Sequence, residues 1–152
     1  MQNNIKDLGK VLATFSATKE SSGLPRPKVE NLNLIKDYGI ENDKFAGKKL
    51  DQTVMIVGVE SYKIAKEKGI DLEFGCLGEN ILLDFDPHTL EVGTNLIIGD
   101  SIIQITQVCT VCNHLAVFDK SLPLLLKAHR GLYCKIINSG IVLKDMIIKI
   151  EG

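Results

Sequence analysis

No run in this chain approaches the roughly 20 consecutive apolar residues that a helix needs to cross a bilayer. The first residues, Met1-Gln2-Asn3-Asn4-Ile5-Lys6-Asp7, lack the apolar stretch of a secretory signal. An excess of one charge is missing too. A net −1 over 152 residues creates no field that would draw nucleic acid. There is no internal repeat, no low-complexity tract, no alternating strand–helix pattern and no glycine-rich phosphate loop. These absences argue against a membrane span, a nucleic-acid partner and a Rossmann-type nucleotide enzyme, and a cytoplasmic location is expected. Cysteine is sparse, at four residues: Cys76, Cys109, Cys112 and Cys134. In a reducing compartment they are expected as thiols rather than disulfides. Any thiol chemistry is then catalytic, metal-binding or sulfur-carrying.

What is present reads as one globular domain spanning residues 1–152. Hydrophobic residues make up 45% and charged residues 24%, enough apolar material for a real core. The spacing predicts strands over 10–17, 28–34, 53–59, 95–98, 101–108, 132–138 and 146–150, with a further short strand near 81–83. Thr53 to Val59 is almost continuously apolar and β-branched, which predicts burial on both faces. Glu60 to Lys68 has helical spacing and ends at Gly69. Ile98-Gly99-Asp100-Ser101 is a hairpin turn. The stretch from Cys112 to Ala128 reads as helical and interrupted at Pro123, and Ser139-Gly140 begins a connection. Seven or eight short strands with few helices predict a mainly β fold, a barrel or a pair of sheets.

The segment with the most chemistry is Thr106-Gln107-Val108-Cys109-Thr110-Val111-Cys112-Asn113-His114. Two thiols three residues apart, where a strand stops, suit a redox pair, a metal half-site or a sulfur-carrying nucleophile. A thiolate accepts sulfur from a persulfide and is also a soft ligand for Mo, W, Zn or Cu(I). His114 is placed to act as a base toward Cys112 or as a metal ligand. Cys76 would supply a third ligand if the fold brought it to the pair, although a closed zinc site takes four. Lys and Arg are absent from Gly69 to Asp119, then Lys120, Lys127, Arg130 and Lys135 follow closely. That step predicts an anion-attracting patch, with Arg130 as its bidentate phosphate ligand.

Several segments resemble the MOSC domain, named for the C-terminal part of molybdenum-cofactor sulfurase. Gly39-Ile40-Glu41-Asn42-Asp43-Lys44-Phe45-Ala46-Gly47 is similar to its GDxHAG segment, and Phe74-Gly75-Cys76-Leu77-Gly78-Glu79-Asn80 to its FGxxGEN loop. Val92-Gly93-Thr94 with Ile98-Gly99-Asp100, Thr106-Gln107 leading to Cys112, and Arg130-Gly131-Leu132-Tyr133 follow in the family's order. The resemblance is closest to small stand-alone bacterial members. It implies a β-barrel of about seven or eight strands and a role in molybdenum- or tungsten-pterin cofactor metabolism. It places the reactive cysteine at Cys112, as sulfur carrier and metal ligand, with Cys109 as a possible resolving partner. Glu79, Asn80, Arg130 and His114 become candidate cofactor-binding residues. Implied partners are a cysteine desulfurase or molybdenum-cofactor enzymes. Other functions consistent with the family are a molybdenum-dependent reductase of N-hydroxylated compounds and an interaction domain that has lost its site. Two departures stand out: Phe45 replaces the motif histidine and Asn42 its first glycine. Lys48-Lys49-Leu50-Asp51-Gln52 lacks the Arg-Gln pair common in relatives.

Overall fold

The computed structural model describes residues 5–18, 20, 23–109 and 113–151, with the side chains of 113 and 114 not described. The strands are β1 (Ile5–Phe15), β2 (Lys28–Val29), β3 (Asn31–Ile35), β4 (Gly39–Ile40), β5 (Val54–Gly58) and β6 (Ile81–Leu83). They continue as β7 (Asn95–Ile98), β8 (Ser101–Val108), β9 (Leu132–Asn138), β10 (Gly140–Leu143) and β11 (Ile147–Glu151). Two α-helices, α1 (Val59–Glu67) and α2 (Leu122–Leu125), and three 3-10 turns complete the described elements.

The main sheet runs β11-β7-β8-β9-β5-β6-β1-β2, and β11 also pairs with β1. Seven strands thus close into a barrel, leaving no free edge between β11 and β1, and β2 is appended outside the ring. A second sheet, β10-β3-β4, stands beside it. Nearly all pairs are antiparallel. The exception is β5 with β6, joined through α1 as a single right-sized crossover. The sequence contains one strand–helix–strand unit after all, too isolated to make an alternating pattern.

The strand between two cores explains the apolar runs. Val54 and Ile56 of β5 point into the barrel interior with Ile81 and Leu83 of β6. Met55, Val57 and Leu82 point to the opposite face, into a second core with Tyr62 and Ala65 of α1 and Leu122 of α2. Strands covered on both faces need apolar residues at successive positions, not alternate ones. β1 changes core along its length: Val11 joins the barrel interior while Ala13 and Phe15 join the second cluster, across a register shift between Val11 and Ala13.

Three local expectations change. The predicted 28–34 strand divides into β2 and β3. Residues 140–143 form β10, antiparallel to β3, rather than a connection. A side chain at Gly140 would put its Cβ 2.6 Å from the Ser101 nitrogen, so glycine here permits close strand packing. Pro123 does not interrupt α2; it sits in the first turn, where no helical N–H is lost.

Candidate functional site

The best-formed cavity, about 310 Å³, lies where β5 begins and β9 passes it. Arg26, Lys48, Lys49, Gln52, Asn80 and Tyr133 line it, with Phe45 at its side. Three cations on one cavity make an anion site. The lysines come from the turn after β4, and Arg26 from the Leu24-Pro25-Arg26-Pro27 loop before β2. The patch expected around Lys120, Lys127, Arg130 and Lys135 is not where these charges gather: none of those four lines this cavity.

Arg26 is the centre of this arrangement. Its backbone N–H is bound by the Gly75 carbonyl at 3.0 Å, and its guanidinium carbon sits 5.4 Å from the Phe45 ring centroid. Among the described residues the guanidinium makes no hydrogen bond and no ion pair. Burial is the main influence lowering its pKa, with Asp43 opposing and Arg130 adding to the effect. The Lys44 ammonium lies equally close to Phe45, 5.4 Å from the centroid. Phe45, standing where the family's motif has histidine, is therefore a platform for cations.

Asp43, the acid of the same motif, is occupied structurally. Its carboxylate accepts from the Ser16 hydroxyl at 2.9 Å, the Ala17 N–H at 3.0 Å and the Phe45 N–H at 2.8 Å. These bonds fasten the loop carrying Phe45, Lys48 and Lys49 to the end of β1.

The Gly75–Asn80 loop places the other family residues. Asn80 accepts from the Met55 N–H at 2.9 Å and donates to the Phe15 carbonyl at 3.1 Å. Its side-chain hydrogen bonds go to the backbone of β1 and β5, although it also lines the cavity. Glu79 is fully buried. Tyr62 donates its hydroxyl to Glu79 Oε2 at 2.6 Å, and Glu79 Oε1 has no hydrogen-bond partner among the described residues. Burial raises the Glu79 pKa, against the opposing effects of the Tyr62 hydrogen bond, then the Glu79 and Gly75 backbone N–H groups and, more weakly, Arg26. Tyr62 in turn accepts from the Gly75 N–H at 3.0 Å and the Leu77 N–H at 3.3 Å, locking α1 onto the loop.

Arg130 is buried and donates through Nε to the Leu77 carbonyl at 2.9 Å. Its Nη2 comes within 2.9 Å of where a Gly78 Cβ would stand, and Arg26 Nε within 3.8 Å. Gly78, at φ +82°, adopts a backbone conformation suited to glycine and leaves room for both guanidiniums. Arg130 and Glu79 therefore stand behind the cavity rather than in its lining. His129 is exposed, its ring 5.6 Å from that of His88, whose Nδ1 lies 2.7 Å from Asp86.

Cys109 is buried at the end of β8, its N–H bound to the Gly131 carbonyl at 2.9 Å. Its thiol is hydrogen-bonded with the Tyr133 hydroxyl; burial first, then this thiol, push the Tyr133 pKa up to about 12. Tyr133 thus joins the cavity wall to the first cysteine of the pair. Cys112 lies outside the described residues, as does the side chain of His114. Cys76 and Cys109 belong to the same apolar cluster. No group of three or more His, Cys, Asp or Glu side chains suited to a metal is found among the described residues. Burial raises Cys76 to about 11 and moves Cys134 upward as well. At pH 8 both are expected to resist iodoacetamide in the native chain and to label in urea, as read by peptide mass spectrometry. Rapid native labelling of either would contradict the packing described.

Sequence reasoning missed Arg26, Lys48, Lys49 and Tyr133 as site residues. The adjacent lysines directly after a glycine-rich turn were the one available signal. No helix among the described residues is long and apolar enough to cross a membrane.

The architecture is shared with solved structures. Similarity to the YuaD protein from Bacillus subtilis covers 99% of both chains, with TM-score 0.78 and 16% identity. YiiM from Geobacillus stearothermophilus is similar over 98% of this chain and 76% of its own, with TM-score 0.68 and 14% identity. For YiiM from Escherichia coli the values are 94%, 70%, 0.64 and 19%. At such identities these likenesses speak for the fold alone. No curated protein matches the chain at a significant level. The MOSC domain model matches residues 42–148, well over half of the chain, and the protein therefore belongs to the MOSC domain family.

Proposed function

We propose that this domain binds a phosphate-bearing molybdenum- or tungsten-pterin cofactor in the Arg26 cavity, whose wall residue Tyr133 contacts Cys109. The observation that carries this reading is the Arg26 guanidinium: seated on Phe45, facing the cavity with Lys48 and Lys49, and without a hydrogen-bonded acceptor among the described residues. An arginine so placed suits a bidentate oxyanion partner. The volume, about 310 Å³, is at the small end of ligand pockets, which run from roughly 300 to 1,000 Å³. Gln52, Thr53 and Asn80 add polar groups around the cations. The cofactor itself would supply a metal centre and its sulfur ligands; the chain supplies the anion anchor and, behind Tyr133, the Cys109 thiol. Cys112 is the candidate to ligate the metal or carry sulfur, with a cysteine desulfurase as donor in the latter case.

The test titrates the full-length protein with the pterin cofactor, following pterin fluorescence. Arg26→Met is expected to weaken binding at least tenfold, the loss of about 1.4 kcal/mol or more of charge-assisted hydrogen bonding. Because the Arg26 side chain makes no hydrogen bond among the described residues, the variant is expected to fold normally. Equal affinity in the two proteins would overturn the assignment. Intact mass after loading with a desulfurase, with Cys112→Ser alongside, reads the sulfur-carrying part: an adduct of about 32 Da that vanishes in the variant supports it.

A further inference from the structure

We propose that filling the Arg26 cavity with a dianion draws one proton from solvent onto Glu79. The inference rests on the anion-binding reading of that cavity and adds how the site keeps its charge balanced. Two guanidiniums, Arg26 and Arg130, converge on Gly78. The acids around them are Asp43, near Arg26, and Glu79, which follows Gly78 in the chain. Asp43 is committed to three donors, from Ser16, Ala17 and Phe45. Glu79 is not so committed. Oε2 receives the Tyr62 hydroxyl, whereas Oε1 is buried with no hydrogen-bond partner among the described residues, the Gly75 and Glu79 N–H groups adding to the stabilisation of the carboxylate. The remaining titratable neighbours are Cys76, which feels the Glu79 charge from the same loop, and Tyr133, which faces Arg26 from β9.

With the cavity empty, the guanidinium charge favours the ionised form of Glu79 against the burial that favours its acid form. A dianion on Arg26 offsets the guanidinium charge and adds negative charge near a carboxylate that water does not reach. The acid form of Glu79 is then favoured. The new O–H bond forms on Oε1, the oxygen with no donor to displace, and the proton comes from the buffer; Tyr62 keeps its bond to Oε2. Glu79 thus titrates at higher pH in the filled site than in the empty one. Between those two points binding takes up a proton, so affinity rises as pH falls, by up to about tenfold per pH unit for one proton.

Sulfate is the probe, because it stays a dianion through the working range and cannot itself bind the proton. Calorimetric titration of the full chain in two buffers of different ionisation enthalpy reads proton uptake directly. The expected result is uptake approaching one proton per sulfate in wild type and near zero in Glu79→Gln, which still binds. Difference infrared spectra of the wild type should gain a protonated-carboxyl band on sulfate addition, a readout that needs no variant. Sulfate binding without uptake and without that band would overturn the inference while leaving the Arg26 site standing. Uptake that persists undiminished in Glu79→Gln would assign the proton elsewhere and overturn it too. Wild-type protein that binds neither sulfate nor the pterin cofactor would overturn both readings.

Discussion

Asn80→Ala is expected to lower the stability of the domain by about 2–5 kcal/mol, more than its size suggests. The side chain spans two strands that do not pair with each other directly. Its Oδ1 accepts the Met55 N–H, on β5, and its Nδ2 donates to the Phe15 carbonyl, at the end of β1. The backbone of Asn80 repeats the bridge, donating to the Met55 carbonyl and accepting the Phe15 N–H, each at 2.8 Å. Asn80 therefore acts as the first rung of the sheet before β6 begins. Alanine leaves the Met55 N–H and the Phe15 carbonyl without partners where Asn80 is only 1% exposed, at about 1–3 kcal/mol for each orphaned group. At about 2–4 °C per kcal/mol for a domain of this size, the midpoint should fall by about 5–15 °C. Urea titration and thermal unfolding both read this. A loss under 1 kcal/mol would mean that the two backbone groups find other partners, and that Asn80 is free to serve a ligand instead.

That expectation bears on what the residue order could reveal. The Gly78-Glu79-Asn80 motif is recognisable in the sequence, but whether its side chains face a ligand or the strands is decided by contacts 25 and 65 positions away. The barrel was legible for a physical reason: β5, β7, β8 and β9 carry continuous or alternating apolar patterns bounded by glycine turns. β10 was not, because Ile141 and Leu143 are exposed and only Val142 is buried, so its hydrophobic residues mark no inner face. The cationic cavity was the largest gap. Chain proximity pointed to Arg130 and the lysines near it, yet Arg130 is buried against the Leu77 carbonyl. The charges that meet come from the loop before β2 and the turn after β4. Both segments are tied to the residues just after β1, by the Ser16 N–H to the Pro27 carbonyl and by Asp43 and Lys44 to Ser16 and Ala17, and no local pattern encodes those contacts. Tyr133 is similar: in the sequence it is an alternate residue of β9, and its contact with the Cys109 thiol follows from the β8–β9 register.

Asp43→Ala is expected to cost about 3–5 kcal/mol and to weaken sulfate or pterin binding at least tenfold. Two of its three hydrogen bonds join the 41–49 turn to the segment after β1 and the third braces the turn itself, and two of the donors are backbone N–H groups that alanine cannot satisfy. Of the backbone bonds, that from Lys44 N–H to the Ala17 carbonyl, 2.8 Å, would still tie the turn to that segment. Phe45, Lys48 and Lys49 all ride on that turn, so its release removes two cations and the Arg26 platform together. The two effects separate with a companion variant. Phe45→Leu keeps the Asp43 anchor and removes only the ring beneath Arg26; since Phe45 is 43% exposed, stability should change by less than about 1 kcal/mol. Its affinity should fall by a few-fold, through a less ordered Arg26. If Asp43→Ala were instead destabilised with unchanged affinity, the turn would hold its position without the anchor, and the motif acid would serve stability alone. If Phe45→Leu lost as much affinity as Asp43→Ala, the lysines would contribute little and Arg26, steadied by Phe45, would carry the anion by itself.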